Sequence, residues 1–177
     1  MEQHLKDIYG YNNFRARQRE IIVDLLDKKD VVAILPTGGG KSLLYQFPAT
    51  FTDKITVVVS PLISLMNDQC KYLNSRNIKS VCLNSETSVG LGHYINYKII
   101  YTTPEFIITR LAAFSRIKES IGLFAIDEAH CVSQWSHDFR PSYQKLGLIK
   151  KRFPNIPVLS VTATATPHVL SEMYEFI

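Results

Sequence analysis

The segment Asp30–Phe47, DVVAILPTGGGKSLLYQF, decides the fold. Asp30 to Leu35 is a short apolar run, the pattern of a strand buried on both faces. Pro36 to Gly40 is a glycine-rich turn, and Lys41 to Phe47 opens a helix. A strand feeding through such a turn straight into a helix is the first unit of an α/β layer.

The same alternation continues in both directions. Upstream, Arg15 to Lys28 predicts a helix, with Ile21, Ile22, Leu25 and Leu26 on one face. Downstream, strands are predicted at Thr56 to Val59, Ser80 to Leu83, Lys98 to Thr102, Leu123 to Ile126 and Val158 to Val161. Helices are predicted at Leu62 to Leu73, Pro104 to Phe114, Tyr143 to Arg152 and Pro167 to Ile177. Continuous apolar strands separated by helices form a mainly parallel sheet flanked by helices. The predicted class is α/β, doubly wound, with right-handed crossovers. Ligands of such sheets bind beyond the carboxyl ends of the strands. No repeat or linker divides the chain, so residues 1–177 are expected to form one domain.

Composition narrows the options. The 177 residues suffice for one ordinary core without disulfide or metal staples. Lys plus Arg outnumber Asp plus Glu by 20 to 16, a net charge of +4 that permits a phosphate-rich partner without requiring one. The longest apolar runs, Val31 to Leu35 and Ile55 to Val59, fall short of the roughly 18 residues that cross a membrane. Cys70, Cys82 and Cys131 stand singly, without a CxxC pair, so neither a disulfide framework nor a zinc ribbon is expected. The N-terminus carries no apolar signal core. The expectation is an intracellular protein with no membrane partner, a monomer.

Two strand ends concentrate chemistry. After the first strand, Thr37, Gly38, Gly39 and Gly40 let successive N–H groups curl around phosphate oxygens at a helix N-terminus. Lys41 adds a point charge for β and γ phosphates, and the Ser42 hydroxyl can ligate Mg2+. The strict motif wants glycine where Leu35 stands, but the strand–GGGKS–helix context compensates. After LFAI come Asp127 and Glu128. Asp127 would hold Mg2+, and Glu128 would polarise an attacking water. Alone, the pair could equally be acids decorating a helix start. Beside GGGKS on one sheet edge, it reads as a nucleotide-hydrolysis site.

With these residues in place, the chain resembles the first, N-terminal RecA-like lobe of superfamily 2 helicases, and the RecQ family in particular. YGYNNFRARQ (residues 9–18) resembles motif 0, and LPTGGGKSLLYQFPA (35–49) motif I. VVVSPLISLMNDQ resembles motif Ia, YTTPE motif Ib, IDEAH motif II and LSVTATAT motif III. CVSQWSHDFRPSY, Cys131 to Tyr143, resembles the aromatic-rich loop of RecQ helicases. The resemblance implies a P-loop NTPase lobe of an ATP-dependent 3′-to-5′ DNA helicase, using ATP and Mg2+ and contacting single-stranded and forked DNA. It further implies that the second RecA-like lobe, with its arginine finger, lies outside this chain. The isolated lobe would then hydrolyse ATP near background. The segment between Leu83 and Lys98 departs from the family by being shorter.

The resemblance also distributes roles. Tyr11, Arg15 and Gln18 would hold adenine, Gln18 by pairing its amide with the base edge. Their bland alternative is a core aromatic beside solvated helix residues. His130 would couple the γ-phosphate state to the rest of the motor. Gln134, Trp135, His137, Phe139 and Arg140 would sense DNA, since aromatics stack on unpaired bases and arginine contacts phosphate. Otherwise the loop is simply anchored by Trp135. Ser60 and Thr103 could contact a DNA backbone or merely cap helices. Thr162, Thr164 and Thr166 would form a relay from the acidic site to the DNA face. His130, Cys131 and His137 lack zinc spacing, so no metal beyond Mg2+ is expected. Two other functions use similar parts: a DExH RNA helicase lobe and a P-loop small-molecule kinase. The water-activating Glu128 weighs against the kinase, and the aromatic-rich loop favours DNA over RNA.

Overall fold

The computed structural model describes residues 1–36 and 40–177. The expectations placed on Thr37, Gly38 and Gly39 therefore lie outside the described residues. Among the described residues there are six strands: β1 Val31–Ile34, β2 Ile55–Val59, β3 Ser80–Leu83, β4 Ile99–Thr102, β5 Ile121–Ile126 and β6 Val158–Thr162. They form one sheet in the order β1-β6-β5-β2-β4-β3, and every pairing is parallel.

Alternate residues of each central strand enter opposite cores. Val57, Val59, Phe124, Ile126 and Val158 face one helical layer. Val58, Leu123, Ala125, Leu159 and Val161 face the other. This two-sided burial is why the strands read as unbroken apolar runs. All of β2 is buried, and each large side chain so enclosed contributes about 1.5–3 kcal/mol of transfer free energy.

Four helices matter for the site: α1 Gln18–Leu26, α2 Lys41–Phe51, α3 Ile63–Ser75 and α4 Pro167–Phe176. Helix α1 begins later than its apolar period suggests because Arg17 adopts a left-handed backbone, φ 68°. Residues Arg15–Gln18 instead close a turn, with the Gln18 amide N–H donating to the Arg15 carbonyl at 3.1 Å. Helix α2 runs one turn beyond Phe47, through Pro48. An interior proline costs about 3 kcal/mol, which the burial of Leu43 through Ala49 offsets here.

The stretch predicted as one helix over Pro104 to Phe114 breaks at Arg110 into Pro104–Thr109 and Leu111–Ser115. Likewise Tyr143 to Arg152 divides into Pro141–Gln144 and Gly147–Arg152. The second break packs tightly, since a Cβ on Gly147 would lie 2.4 Å from the Phe176 carbonyl. The segment after Leu83 carries a 3-10 turn at Leu91–Asn96 that buries Tyr94 against Phe114, ring centroids 5.2 Å apart. No helix among the described residues is long and apolar enough to cross a membrane.

Candidate nucleotide site and nucleic-acid face

Strand order sets the site. β6 lies between β1 and β5, so the end of β6 separates the start of α2 from the Asp127–Glu128 pair. A cavity of about 720 Å3 opens at this edge. Its walls include Tyr11, Arg15, Gln18, Gly40, Lys41, Ser42, Asp127 and Glu128. Thus residues from three separate stretches, all singled out from the sequence, share one cavity.

Asp127 directly follows β5 and is buried, 5% exposed. Burial pushes its carboxyl above the ordinary carboxylate range, against the pull of the Lys41 ammonium. Its Oδ1 accepts from the Glu128 amide at 2.8 Å, and its carbonyl accepts from the Tyr143 hydroxyl at 2.7 Å. Glu128 sits in the left-handed region, φ 53°. That conformation is uncommon for a side-chain-bearing residue and costs of order 1–3 kcal/mol. The strain turns the chain abruptly from strand into the Ala129–Val132 turn. Ser42 offers a hydroxyl and Asp127 a carboxylate, both hard oxygen donors. The pair fits Mg2+, which prefers such ligands and keeps several waters.

Gln18 is almost fully buried, and both ends of its amide are occupied. Oε1 accepts from the Arg15 amide at 2.7 Å, and Nε2 donates to the Gly40 carbonyl at 3.1 Å. Gly40 has φ +80°, and a Cβ there would strike Gln18 Nε2 at 2.1 Å. Glycine is thus required on two counts. In this arrangement Gln18 ties the turn before α1 to the start of α2 through one Nε2 hydrogen and one Oε1 lone pair, and an amide has a second of each with which to meet a base edge. Tyr11, 52% exposed, stands at the cavity rim.

A polar cluster behind the acid pair went unnoticed in the sequence. The Tyr45 hydroxyl lies 3.2 Å from Gln69 Oε1 and 3.5 Å from Asp127 Oδ2. The Tyr101 hydroxyl donates to the same Gln69 oxygen at 2.7 Å. Burial drives both phenols upward, so they remain neutral donors. Their only local signal was the polar Gln69 between Met66 and Cys70 on the buried side of α3.

His130 connects the cavity to the loop that follows. Its Nδ1 is 2.7 Å from Thr162 Oγ1 and 3.5 Å from Glu128 Oε2. The Thr162 hydroxyl donates to the Thr164 carbonyl at 3.1 Å. The expected threonine relay is therefore shorter than its spacing suggested. Thr164 joins through its backbone, and Thr166 instead caps α4, its Oγ1 accepting from the Val169 amide at 3.3 Å. Thr103 likewise caps the helix Pro104–Thr109, accepting from the Phe106 amide, while Ser60 accepts from the Leu62 amide in the turn before α3.

In the loop, Trp135 does not anchor the core: it is 70% exposed. Its indole stacks on the His168 ring of α4, centroids 5.1 Å apart at 22°. The Gln134 amide donates to Glu172 Oε2, also on α4, at 3.0 Å. Gln134 and His137 are exposed, and Phe139 and Arg140 are half-buried. His137 lies over His130, centroids 6.0 Å apart. The loop's anchors are buried Cys131, Val132 and Ser133. Lys29 and Lys150 pair with Asp24 and Asp30 at the surface.

An all-parallel sheet with a lysine–serine helix start beside an aspartate–glutamate strand end defines a RecA-like lobe. The chain belongs to the DEAD/DEAH box helicase family, which matches residues 15–173. It is 42% identical over 183 residues to RecS of Bacillus subtilis, spanning all of this chain and 37% of that protein. It is 43% identical over 169 residues to the ATP-dependent DNA helicase RecQ of Haemophilus influenzae, spanning 91% of this chain and 27% of that protein. Among solved structures, the Mycobacterium smegmatis helicase Lhr bound to ssDNA and AMP-PNP shares the fold, with TM-score 0.77 and 18% identity over 98% of this chain and 26% of its own. The chain spans 37%, 27% and 26% of these three proteins, in that order.

Proposed function

We propose that this chain is the ATP-binding lobe of an ATP-dependent DNA helicase of RecQ type. The observation that carries the reading is the convergence of Lys41, Ser42, Asp127 and Glu128 on one cavity rimmed by Tyr11, Arg15 and Gln18. Lys41 would face the β and γ phosphates of ATP, and the Tyr11 ring the adenine. Ser42 and Asp127 would hold Mg2+, which when bound neutralises phosphate oxygens as charge develops on them. Glu128 would orient the attacking water and accept its proton. His130, touching Glu128 through one ring edge and the loop side through the other, would carry the state of the cleft to Gln134, Trp135, His137, Phe139 and Arg140. Those residues would engage single-stranded DNA by stacking and phosphate contact.

The test is ATP turnover by the full-length protein, alone and with single-stranded DNA, RNA or small phosphoryl acceptors. The reading expects stimulation by single-stranded DNA. Stimulation by RNA alone would move the lobe to the RNA helicases, and phosphate transfer to a small acceptor would overturn the helicase reading.

A further inference from the structure

On the side of His130 away from Glu128, three ligand atoms converge. His130 Nε2 is 3.7 Å from Asp138 Oδ2 and 3.9 Å from Cys131 Sγ, and that sulfur is 4.0 Å from the same Asp138 oxygen. Atoms at those separations are equidistant, at about 2.2 Å, from one point between them, and zinc–ligand bonds run about 2.0–2.3 Å. We propose that His130, Cys131 and Asp138 form a site for a borderline-soft divalent cation, Zn2+ foremost, with water as the fourth ligand.

Proton accounting supports the assignment. The Thr162 hydroxyl spends its proton on the Thr164 carbonyl, so it must accept from His130 Nδ1–H. The other ring nitrogen, Nε2, then faces the thiol and the carboxylate. A histidine that donates from one nitrogen to an oxygen partner and offers the other outward is the usual metal-binding arrangement. Burial, with the Asp138 and Glu128 carboxylates, pushes the Cys131 thiol up to about 12, while the Arg140 guanidinium beside it pulls down. The cation must therefore displace the thiol proton to solvent, as zinc does at its thiolate ligands. Cys131 is fully buried and the Asp138 side chain is 46% exposed, so the site opens to water on one side only. His137 stacks on His130 and is not needed as a ligand. The spacing concealed the site because Asp138 returns over the 131–137 turn. A cation here would staple the residue that touches Glu128 to the DNA-facing loop.

The chain, stripped with chelator and held in excess Mg2+, is titrated with Co2+ while sulfur-to-cobalt charge-transfer absorption is recorded. The expected result is a band saturating at one Co2+ per chain and abolished by Zn2+. Cys131→Ser should remove the band. Asp138→Asn, at a half-exposed side chain that supports no packing, should weaken Co2+ binding by about tenfold or more. Absence of the band, its survival in Cys131→Ser, or unchanged affinity in Asp138→Asn would overturn the site. Should Cys131→Ser fail to fold, Asp138→Asn decides.

Discussion

Asp127–Glu128 and the loop Gln134–Arg140 lie a few residues apart, yet they are held in opposite ways. The acid pair directly follows a buried strand, fixed by its own amide, by the Tyr143 hydroxyl and by a left-handed backbone. The loop exposes Gln134, Trp135 and His137 and borrows its outer contacts from α4, through Glu172 and His168. Hydrolysis chemistry needs donors and acceptors set in advance. Coupling needs a segment whose few contacts can be exchanged. His130 touches both, Glu128 at one ring nitrogen and the His137 ring face to face, and under the proposed function it would join a rigid sensor to a removable reader.

The contrast can be broken or sharpened in four steps of decreasing size. In the full-length protein, Glu128→Gln should lower ATP turnover by about 10²–10⁴-fold, the range of a lost general base, while ATP–Mg2+ affinity measured by calorimetry holds. Normal turnover in that variant would remove the rigid site from the comparison. Lys41→Ala should weaken ATP–Mg2+ binding by about 1.5–3 kcal/mol, the worth of charge-assisted contacts, roughly tenfold or more. Equal affinity in a folded variant would refute the phosphate assignment.

Trp135→Ala should weaken single-stranded DNA binding by at least about 1 kcal/mol, one stacked base, and leave ATP–Mg2+ affinity alone. Loss of both together would mean that the loop supports the cleft. The smallest effect concerns stability. Because burial raises the Asp127 carboxyl, the folded chain holds that proton more tightly than the unfolded chain does. Its contribution favours the fold at low pH and is lost as pH rises through the raised value. Asp127→Asn should therefore raise the melting temperature of the ligand-free chain at neutral pH, by about 2–4 °C per kcal/mol at this size. The gain should shrink toward acid pH, and a lower melting temperature throughout would contradict it.

What was legible in the sequence follows from how each feature is encoded. The strands were legible because burial on both faces leaves uninterrupted Val, Ile and Leu runs. Their neighbours Lys41, Ser42, Asp127 and Glu128 were legible because the chemistry follows each strand end directly. Helix limits were less so: no local period reveals that Arg17 turns left-handed or that buried neighbours carry Pro48 inside a helix. Gln69, Tyr45 and Tyr101 were invisible because each is an ordinary residue of its own element. Only the sheet brings them together behind Asp127. The threonines of LSVTATAT were over-read, since equal spacing did not disclose that Thr166 is spent on a helix cap.

Trp135 is the one tryptophan in the chain, and its indole rests openly on an imidazole. The loop therefore carries a native optical probe: intrinsic fluorescence excited in the indole band reports this segment and no other. Separation of Trp135 from His168 would brighten the emission, and stacking on a nucleobase would quench it. Adding ATP–Mg2+ without DNA would then show, with no label attached, whether filling the cleft alone lifts the loop from α4.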